Sequence, residues 1–179
     1  MNQLPEIPGA WKLMLLGDGS PTRHLQLLTK KETKVNLIGM DIEQLSIKDA
    51  PDEINQLKTP LIRRQVWIEN EDITLAWAES WWNIEQVRLS LTNTKDPIWK
   101  NLTKDRSELF REVDAISIVN SPWLTKKFKD KGPFWSRNYR FFRNKKPLTI
   151  IREVFNPAIE KWLGNGNIDN FSNLYSSST

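Results

Sequence analysis

Two charged side chains occupy positions where a predicted strand should carry apolar residues. Residues two apart in a β-strand face the same side of the sheet. Arg64 and Glu153 each have apolar neighbours at this spacing. These neighbours are Ile62, Val66 and Ile68 for the arginine, and Ile151 and Phe155 for the glutamate. Both charged groups are therefore predicted to point into the core, where an unpaired charge costs several kcal/mol.

Two interpretations of these buried charges remain open from the sequence. Arg64 and Glu153 could pair with each other, because buried arginine–carboxylate pairs occur in ordinary folds. Alternatively they belong to an interior site. There Arg64 would hold a ligand carboxylate through two parallel hydrogen bonds, and Glu153 would hydrogen-bond or exchange a proton with a ligand hydroxyl.

The strand that follows Arg64 carries small side chains on one face, at Ala76, Ala78 and Ser80. This face leaves volume for a ring-shaped ligand, or it is ordinary sheet packing. Further along the chain, Arg137 and Arg140 are three residues apart, so at most one of them faces inward.

Composition excludes several kinds of site. The chain of 179 residues has no cysteine, which excludes disulfides, thiolate metal sites and a cysteine nucleophile. A single histidine, His24, excludes a multi-histidine metal cluster and disfavours a histidine-based triad, so no metal site is predicted. The formal net charge of +4 is small for an obligate DNA-binding protein, so no nucleic-acid partner is expected.

The elements that must position these residues form an α+β pattern. Alternating apolar residues predict strands at 33–45, 60–69, 74–83, 110–119, 135–143 and 148–155. Helices are predicted at 23–31, at 122–129 and around Leu102, the last preceded by a loop from residue 84. Short connections favour an antiparallel sheet. One domain is predicted over residues 1–163, followed by a polar, disordered tail over 164–179.

Five sequence blocks occur in an order that is typical of a known family. They are LLGDGSPTRHL, then IRRQVWI with LAWAESWW, then DPIW, then FWSRNYRFF, then KPLTIIREVFNP. Together they resemble chorismate pyruvate-lyase over roughly residues 11–158. The resemblance implies a six-stranded antiparallel sheet with helical flaps that cover an internal ligand pocket. It also implies conversion of chorismate to 4-hydroxybenzoate and pyruvate, without metal or organic cofactor, as an early step of prenylquinone synthesis.

The resemblance assigns roles to particular residues. The carboxylate-binding arginine of the family falls on Arg64 and its essential glutamate on Glu153, so these two are the expected catalytic residues. An apolar pocket residue falls on Ile98, and a flap residue that contacts the substrate falls on Pro21. The arginine of the fifth strand matches Arg137, which completes the expected substrate-binding set.

One departure from the family pattern concerns the strand that carries Glu153. The spacing from Pro147 to Glu153 is one residue longer than in the family pattern, and a β-bulge would restore the register. The pairs Arg63-Arg64 and Trp81-Trp82 resemble the branch found in photosynthetic bacteria and plastids, where the product would feed plastoquinone. The nine tryptophans of the chain are then interpreted as walls of a buried site for an aromatic acid.

Two other functions of a different class fit the same residues. A sheet of this kind serves as the effector domain of some transcription regulators, which would make the protein a ligand sensor. A carrier of an aromatic acid would keep Arg64 and have no need of Glu153. The N-terminal residues lack a signal-peptide pattern and no apolar run is long enough to span a membrane. We therefore expect a cytoplasmic monomer with no membrane insertion.

Overall fold

The computed structural model describes residues 7–43, 50–104, 106 and 108–169. The strands are β1 (Lys34–Glu43), β2 (Leu61–Glu69), β3 (Thr74–Asn83), β4 (Phe110–Val119), β5 (Phe134–Arg143) and β6 (Lys146–Phe155). The helices are α1 (Gly9–Leu16), α2 (Pro21–Thr29), α3 (Ile84–Ser90), α4 (Ile98–Leu102), α5 (Pro122–Phe128) and α6 (Glu160–Leu163). Short 3₁₀ turns cover Asp52–Gln56 and Pro157–Ile159. The predicted α+β class is confirmed.

The six strands form one antiparallel sheet in the order β1-β2-β3-β6-β5-β4. Two tight hairpins, β2–β3 and β5–β6, supply four of these strands. Asn144 and Lys145, between β5 and β6, both have positive φ, at 51° and 63°. This is the conformation of a two-residue hairpin turn, so β6 returns directly beside β5.

The two faces of the sheet are covered by different elements. On the front face, α1 and α2 pack through Trp11, Met14, Leu15 and Leu25 against inward side chains of β2, β3 and β6. On the back face, α5 packs through Leu124 and Phe128 against Trp67, Trp77 and Val154. Trp81 lies beside Leu57 and Leu61 on the same back face. Trp77 and Trp81 are four residues apart in β3, so both face this side of the sheet. Both pack against apolar neighbours, which confirms their predicted assignment to sheet packing.

Four register shifts interrupt the alternation of the strands. The pairing skips Ile38 in β1, Leu75 in β3, Asp114 in β4 and Leu148 in β6. The bulge at Leu148 absorbs the extra residue between Pro147 and Glu153, and it leaves Arg137 directly opposite Glu153. The predicted bulge is therefore confirmed. In β1, the bulge at Ile38 reverses which residues face the front of the sheet. Met40 therefore packs against the front-face side chains, although simple alternation would place it on the back.

Two further segments differ from the expectation. The loop predicted from residue 84 is wrong for Ile84–Ser90, which form α3 behind an Asn83 cap whose side chain accepts the backbone N–H of Glu85. The packed part of the chain also extends past Gly164, where the predicted tail begins. The indole N–H of Trp11 donates to the carbonyl of Gly164 at 2.8 Å, and that of Trp135 to Gly166 at 3.3 Å. The rest of the predicted tail, residues 170–179, lies outside the described residues.

Candidate functional site

A cavity of about 40 Å³ lies between the front face of the sheet and two covering segments. One covering segment is the turn from α1 into α2, and the other is the start of α4. The lining side chains come from all six strands and both covering segments: Ser20, Pro21, Thr22, Val35, Arg64, Val66, Ile68, Ala78, Pro97, Ile98, Trp99, Arg111, Tyr139, Phe141, Ile151 and Glu153. This volume is well below the range typical of sites for small organic ligands.

Glu153 lies on the cavity wall with both carboxylate oxygens already bonded. Arg137 Nε donates to Oε2 at 2.7 Å, and the Tyr139 hydroxyl donates to Oε1 at 2.7 Å. Arg137 is the cross-strand neighbour of Glu153, and Tyr139 is two residues further along β5. The sheet register therefore fixes this triad, because directly opposed and diagonal side chains of an antiparallel pair lie within contact distance.

Arg64 lies on the same cavity wall but does not pair with Glu153. Its Nη2 donates to the backbone carbonyls of Thr94 at 2.7 Å and Asp96 at 3.2 Å, while its buried Nε has no partner among the described residues. Burial lowers the pKa of the Arg64 guanidinium to about 10, so it remains a cation at neutral pH. The interpretation in which Arg64 and Glu153 neutralise each other is wrong, since the partner of Glu153 is Arg137.

Arg111 of β4 is a third charged wall residue that the sequence reasoning missed. It is 7% exposed, and its Nη1 donates to the carbonyl of Gly19 in the covering turn. Its guanidinium lies 4.6 Å from the ring centroid of Tyr139 and 4.7 Å from that of Phe141. Leu109 and Val113 flank it at two-residue spacing, but Ile116 and Ile118 have the opposite parity, so alternation alone does not decide which face Arg111 lies on.

The remaining predicted site residues divide into two groups. Pro21 and Ile98 line the cavity, as do Arg64 and Glu153. Arg137 does not contribute to the cavity wall. It is 1% exposed and also donates to the backbone carbonyls of Met14 and Gly17, at 2.7 and 3.2 Å. The structure therefore places Arg137 between Glu153 and α1, where it can act on a ligand only through Glu153.

The aromatic wall of the cavity consists of Trp99, Tyr139 and Phe141. All nine tryptophans lie within the described residues, and only Trp99 lines the cavity. The interpretation of the tryptophans as walls of the site is therefore wrong. Most of them pack in the core because their indoles are the largest apolar groups available to fill the space above and below the sheet.

His24 and Gly19 are in close contact in the covering turn. A Cβ atom on Gly19 would lie only 2.1 Å from Nε2 of His24, so a larger residue at this position would have to displace the imidazole. His24 is half-buried. Burial and the nearby Arg137 and Arg111 cations lower the pKa of its imidazole below the ordinary value of 6.5.

The arrangement is suited to an anionic ring with a polar substituent. Arg64 and Arg111 present two cationic groups to the cavity, and the charge of Glu153 is compensated from behind by Arg137. Aliphatic side chains of β2 and the ring of Phe141 supply apolar walls. Among the described residues there is no group of three or more His, Asp or Glu side chains that could hold a metal ion.

Comparison with known proteins gives the family. The profile of the family described as "Chorismate pyruvate-lyase Rv2949c-like" matches residues 15–163, which include all six strands and the cavity. The chain belongs to this family. The Rv2949c-like chorismate pyruvate-lyase family thus accounts for the order of sequence blocks that suggested the resemblance.

Two relatives of this family member are named "uncharacterized protein ycf21". The one from Cyanophora paradoxa is 38% identical over 155 residues, covering 84% of this chain and 78% of the relative. The one from Porphyra purpurea is 36% identical over 160 residues, covering 87% and 86%. Both come from algae, in agreement with the predicted plastid-like branch.

Solved structures with a similar fold include an effector domain and the C-terminal domain of a repressor. The effector domain of PhnF from Mycobacterium smegmatis has a TM-score of 0.59 at 8% identity and covers 80% of this chain and 92% of that domain. The C-terminal domain of the histidine utilization repressor from Pseudomonas syringae has a TM-score of 0.56 at 13% identity, covering 71% and 93%. At these identities the likeness concerns the fold alone. Within the described part of the chain, no helix is long and apolar enough to cross a membrane.

Proposed function

We propose that this protein is a chorismate lyase that releases 4-hydroxybenzoate and pyruvate from chorismate. The observation that supports this proposal is a single cavity lined by two buried arginines, Arg64 and Arg111, and one buried glutamate, Glu153. Chorismate is a dianion with a ring hydroxyl, so it needs two cationic groups and one hydrogen-bond acceptor in an apolar enclosure. The family membership supports the same activity.

In this proposal, Arg64 and Glu153 bind opposite ends of the chorismate ring. Arg64 holds the ring carboxylate, for which its unpartnered Nε is a free donor. Glu153 accepts a hydrogen bond from the ring hydroxyl. Arg111 contacts Tyr139, which in turn bonds Glu153, so Arg111 lies at the hydroxyl end of the ring. The enolpyruvyl ether is next to the hydroxyl in chorismate, and Arg111 holds its carboxylate. Pro21 and Ile98 close the cavity over the ring.

The reaction is an elimination that makes the ring aromatic. The ether C–O bond breaks, the hydrogen on the hydroxyl-bearing carbon leaves as a proton, and its electron pair completes the aromatic ring. The departing enolpyruvate gains a proton and becomes pyruvate. Aromatisation supplies the driving force, so the protein mainly has to bind, orient and exclude water from the substrate. Glu153 assists the movement of the proton, and Arg111 balances negative charge on the departing group.

We also propose which cofactors, oligomeric state and pathway belong to this activity. The side chains that line the cavity suffice for this chemistry, so the activity needs no metal or organic cofactor. One chain supplies the whole cavity wall, and the working unit is a monomer. The product enters the synthesis of a prenylquinone, plastoquinone in organisms of the plastid-like branch, and the protein acts in the cytoplasm or its plastid equivalent.

The test compares two buried glutamates of the same sheet. Glu153→Gln should lower the rate of 4-hydroxybenzoate release from chorismate by about 100-fold or more, in the range found when a catalytic acid or base is lost. Glu79→Gln is the matched control, because Glu79 is equally buried but bonds Arg63 and Arg152 on the back face. Ultraviolet absorbance of the product gives the rate. Equal rates for the wild type and Glu153→Gln would refute the proposal.

A second candidate, a non-catalytic aromatic-acid-binding or effector-sensing module, is favoured by the fold of the effector domains. Such a module would bind 4-hydroxybenzoate or a similar acid in the same cavity without converting chorismate. Incubation of the pure protein with chorismate separates the two functions. Tight binding of 4-hydroxybenzoate with no release of product from chorismate would establish the module.

A further inference from the structure

Tyr139 lies among three charged side chains, those of Glu153, Arg111 and Arg137. Its hydroxyl donates to Glu153, and the guanidiniums of Arg111 and Arg137 lie 4.6 and 5.0 Å from its ring centroid. The ring is 3% exposed and also packs edge-on against Phe141, with centroids 5.5 Å apart. These contacts surround the phenol ring and fix its orientation, with the hydroxyl directed at Glu153.

The hydroxyl of Tyr139 can only act as a donor toward Glu153. Burial and the neighbouring carboxylate raise the pKa of the Tyr139 phenol, so it keeps its proton throughout the physiological range. Arg137 donates to the other oxygen of Glu153 at 2.7 Å. In its ion pair with Arg137, the carboxylate of Glu153 has lone pairs that accept further hydrogen bonds and no proton to donate.

From this geometry we infer that Tyr139 is a specificity-determining residue that holds Glu153 as an obligate hydrogen-bond acceptor. The site then selects rings whose para substituent donates a hydrogen bond, a hydroxyl above all, and rejects isosteric rings whose para substituent only accepts. Tyr139 acts through Glu153 and is therefore a positioning residue. The inference rests on the proposed function, because it assumes that an aromatic acid occupies the cavity with its para substituent at Glu153.

The test is the ratio of two dissociation constants. 4-Hydroxybenzoate and 4-fluorobenzoate have similar size, but only the hydroxyl donates. The wild type should bind the hydroxy acid about 10- to 100-fold more tightly, as expected for one hydrogen bond to a charged group. In Tyr139→Phe this ratio should fall by at least about fivefold, through weaker binding of the hydroxy acid, because the carboxylate loses the donor that orients it. Tryptophan fluorescence or calorimetry measures both constants.

Thr149→Val is the control for the loss of a buried hydroxyl. Thr149 is fully buried, and its hydroxyl donates to the carbonyl of Trp81 at 2.8 Å, away from Glu153. This variant should keep the wild-type ratio. If Tyr139→Phe weakens both ligands by the same factor, its role is only structural and the inference fails. A wild type without preference for the hydroxy acid would overturn the inference without any variant.

Release of 4-hydroxybenzoate from chorismate by the wild type is measured in parallel. Turnover with an unchanged ratio in Tyr139→Phe refutes the inference and leaves the proposed function standing. Absence of turnover with the expected drop in the ratio refutes the lyase activity and supports the role of Tyr139. Absence of binding of either acid by the wild type refutes both.

Discussion

Burial without a carboxylate partner among the described residues distinguishes Arg64 from the adjacent arginine of β2. Its neighbour Arg63 faces the opposite side, remains about one-third exposed, and pairs with Glu79. Arg64 is 2% exposed and bonds only backbone carbonyls. A buried guanidinium compensated only by carbonyl groups favours the binding of an anion, since the anion restores part of the electrostatic stabilisation lost with water.

The two adjacent arginines give a direct prediction. Arg64→Ala should lower kcat/KM for chorismate by about 30-fold or more, because loss of a buried charge partner costs about 2–5 kcal/mol. Arg63→Ala should leave kcat/KM within about threefold of the wild type, as is usual for partly exposed ion pairs. Steady-state kinetics checks both values. The role of Arg64 would be contradicted by equal effects of the two substitutions.

The covering turn between α1 and α2 is hydrogen-bonded to the sheet by two arginine side chains. Arg111 donates to the Gly19 carbonyl, and Arg137 donates to the carbonyls of Met14 and Gly17. Two arginine side chains of the sheet thus donate hydrogen bonds to backbone carbonyls at both ends of the covering segment. The position of this segment depends on the backbone path around Gly19, and so does closure of the cavity.

Gly19→Ala tests this dependence. The added methyl group must displace the imidazole of His24, which would otherwise lie 2.1 Å away. We expect the affinity for 4-hydroxybenzoate to fall by about tenfold, since overpacking of this kind costs about 1–3 kcal/mol. Gly9→Ala is the control, because no atom lies within 4 Å of a Cβ at that position. The importance of the turn would be disproved if both variants bound the acid like the wild type.

The strands show how far alternation predicts the site. β4 and β2 have the predicted or nearly the predicted limits, and parity alone placed Arg64 and Glu153 on the cavity wall. When alternation is continued across a β-bulge, it assigns the residues beyond the bulge to the wrong face of the sheet. From Ile116 and Ile118, alternation would turn Arg111 outward, but the bulge at Asp114 turns it inward. The Tyr139 hydroxyl bond and the Arg137 ion pair depend on cross-strand register, which local sequence does not determine.

The stability of the whole chain should depend on pH through His24, which lies against Gly19 in the covering turn. His24 packs under the covering turn, with its pKa lowered by burial and by Arg137 and Arg111. A histidine whose pKa is lower in the folded state binds a proton more readily when the chain unfolds. Its neutral form therefore supports full stability above about pH 6.5, and this contribution is lost as the pH falls below that value.

The melting temperature should reveal this linkage. Between about pH 7.5 and about pH 5.5, the Tm of the wild type should fall more than that of His24→Gln, which has no proton to bind in this range. Scanning calorimetry at matched ionic strength gives both differences. The same decrease in both proteins would show that His24 does not contribute to the pH dependence.

We propose that the cavity on the front face converts chorismate without help from another component. Incubation of the pure wild-type protein with chorismate and a metal chelator, followed by quantification of both products, tests this directly. We expect 4-hydroxybenzoate and pyruvate in equal amounts, over many turnovers, with no added cofactor. Intact chorismate after prolonged incubation with a protein that binds 4-hydroxybenzoate would contradict it and identify a binding module instead.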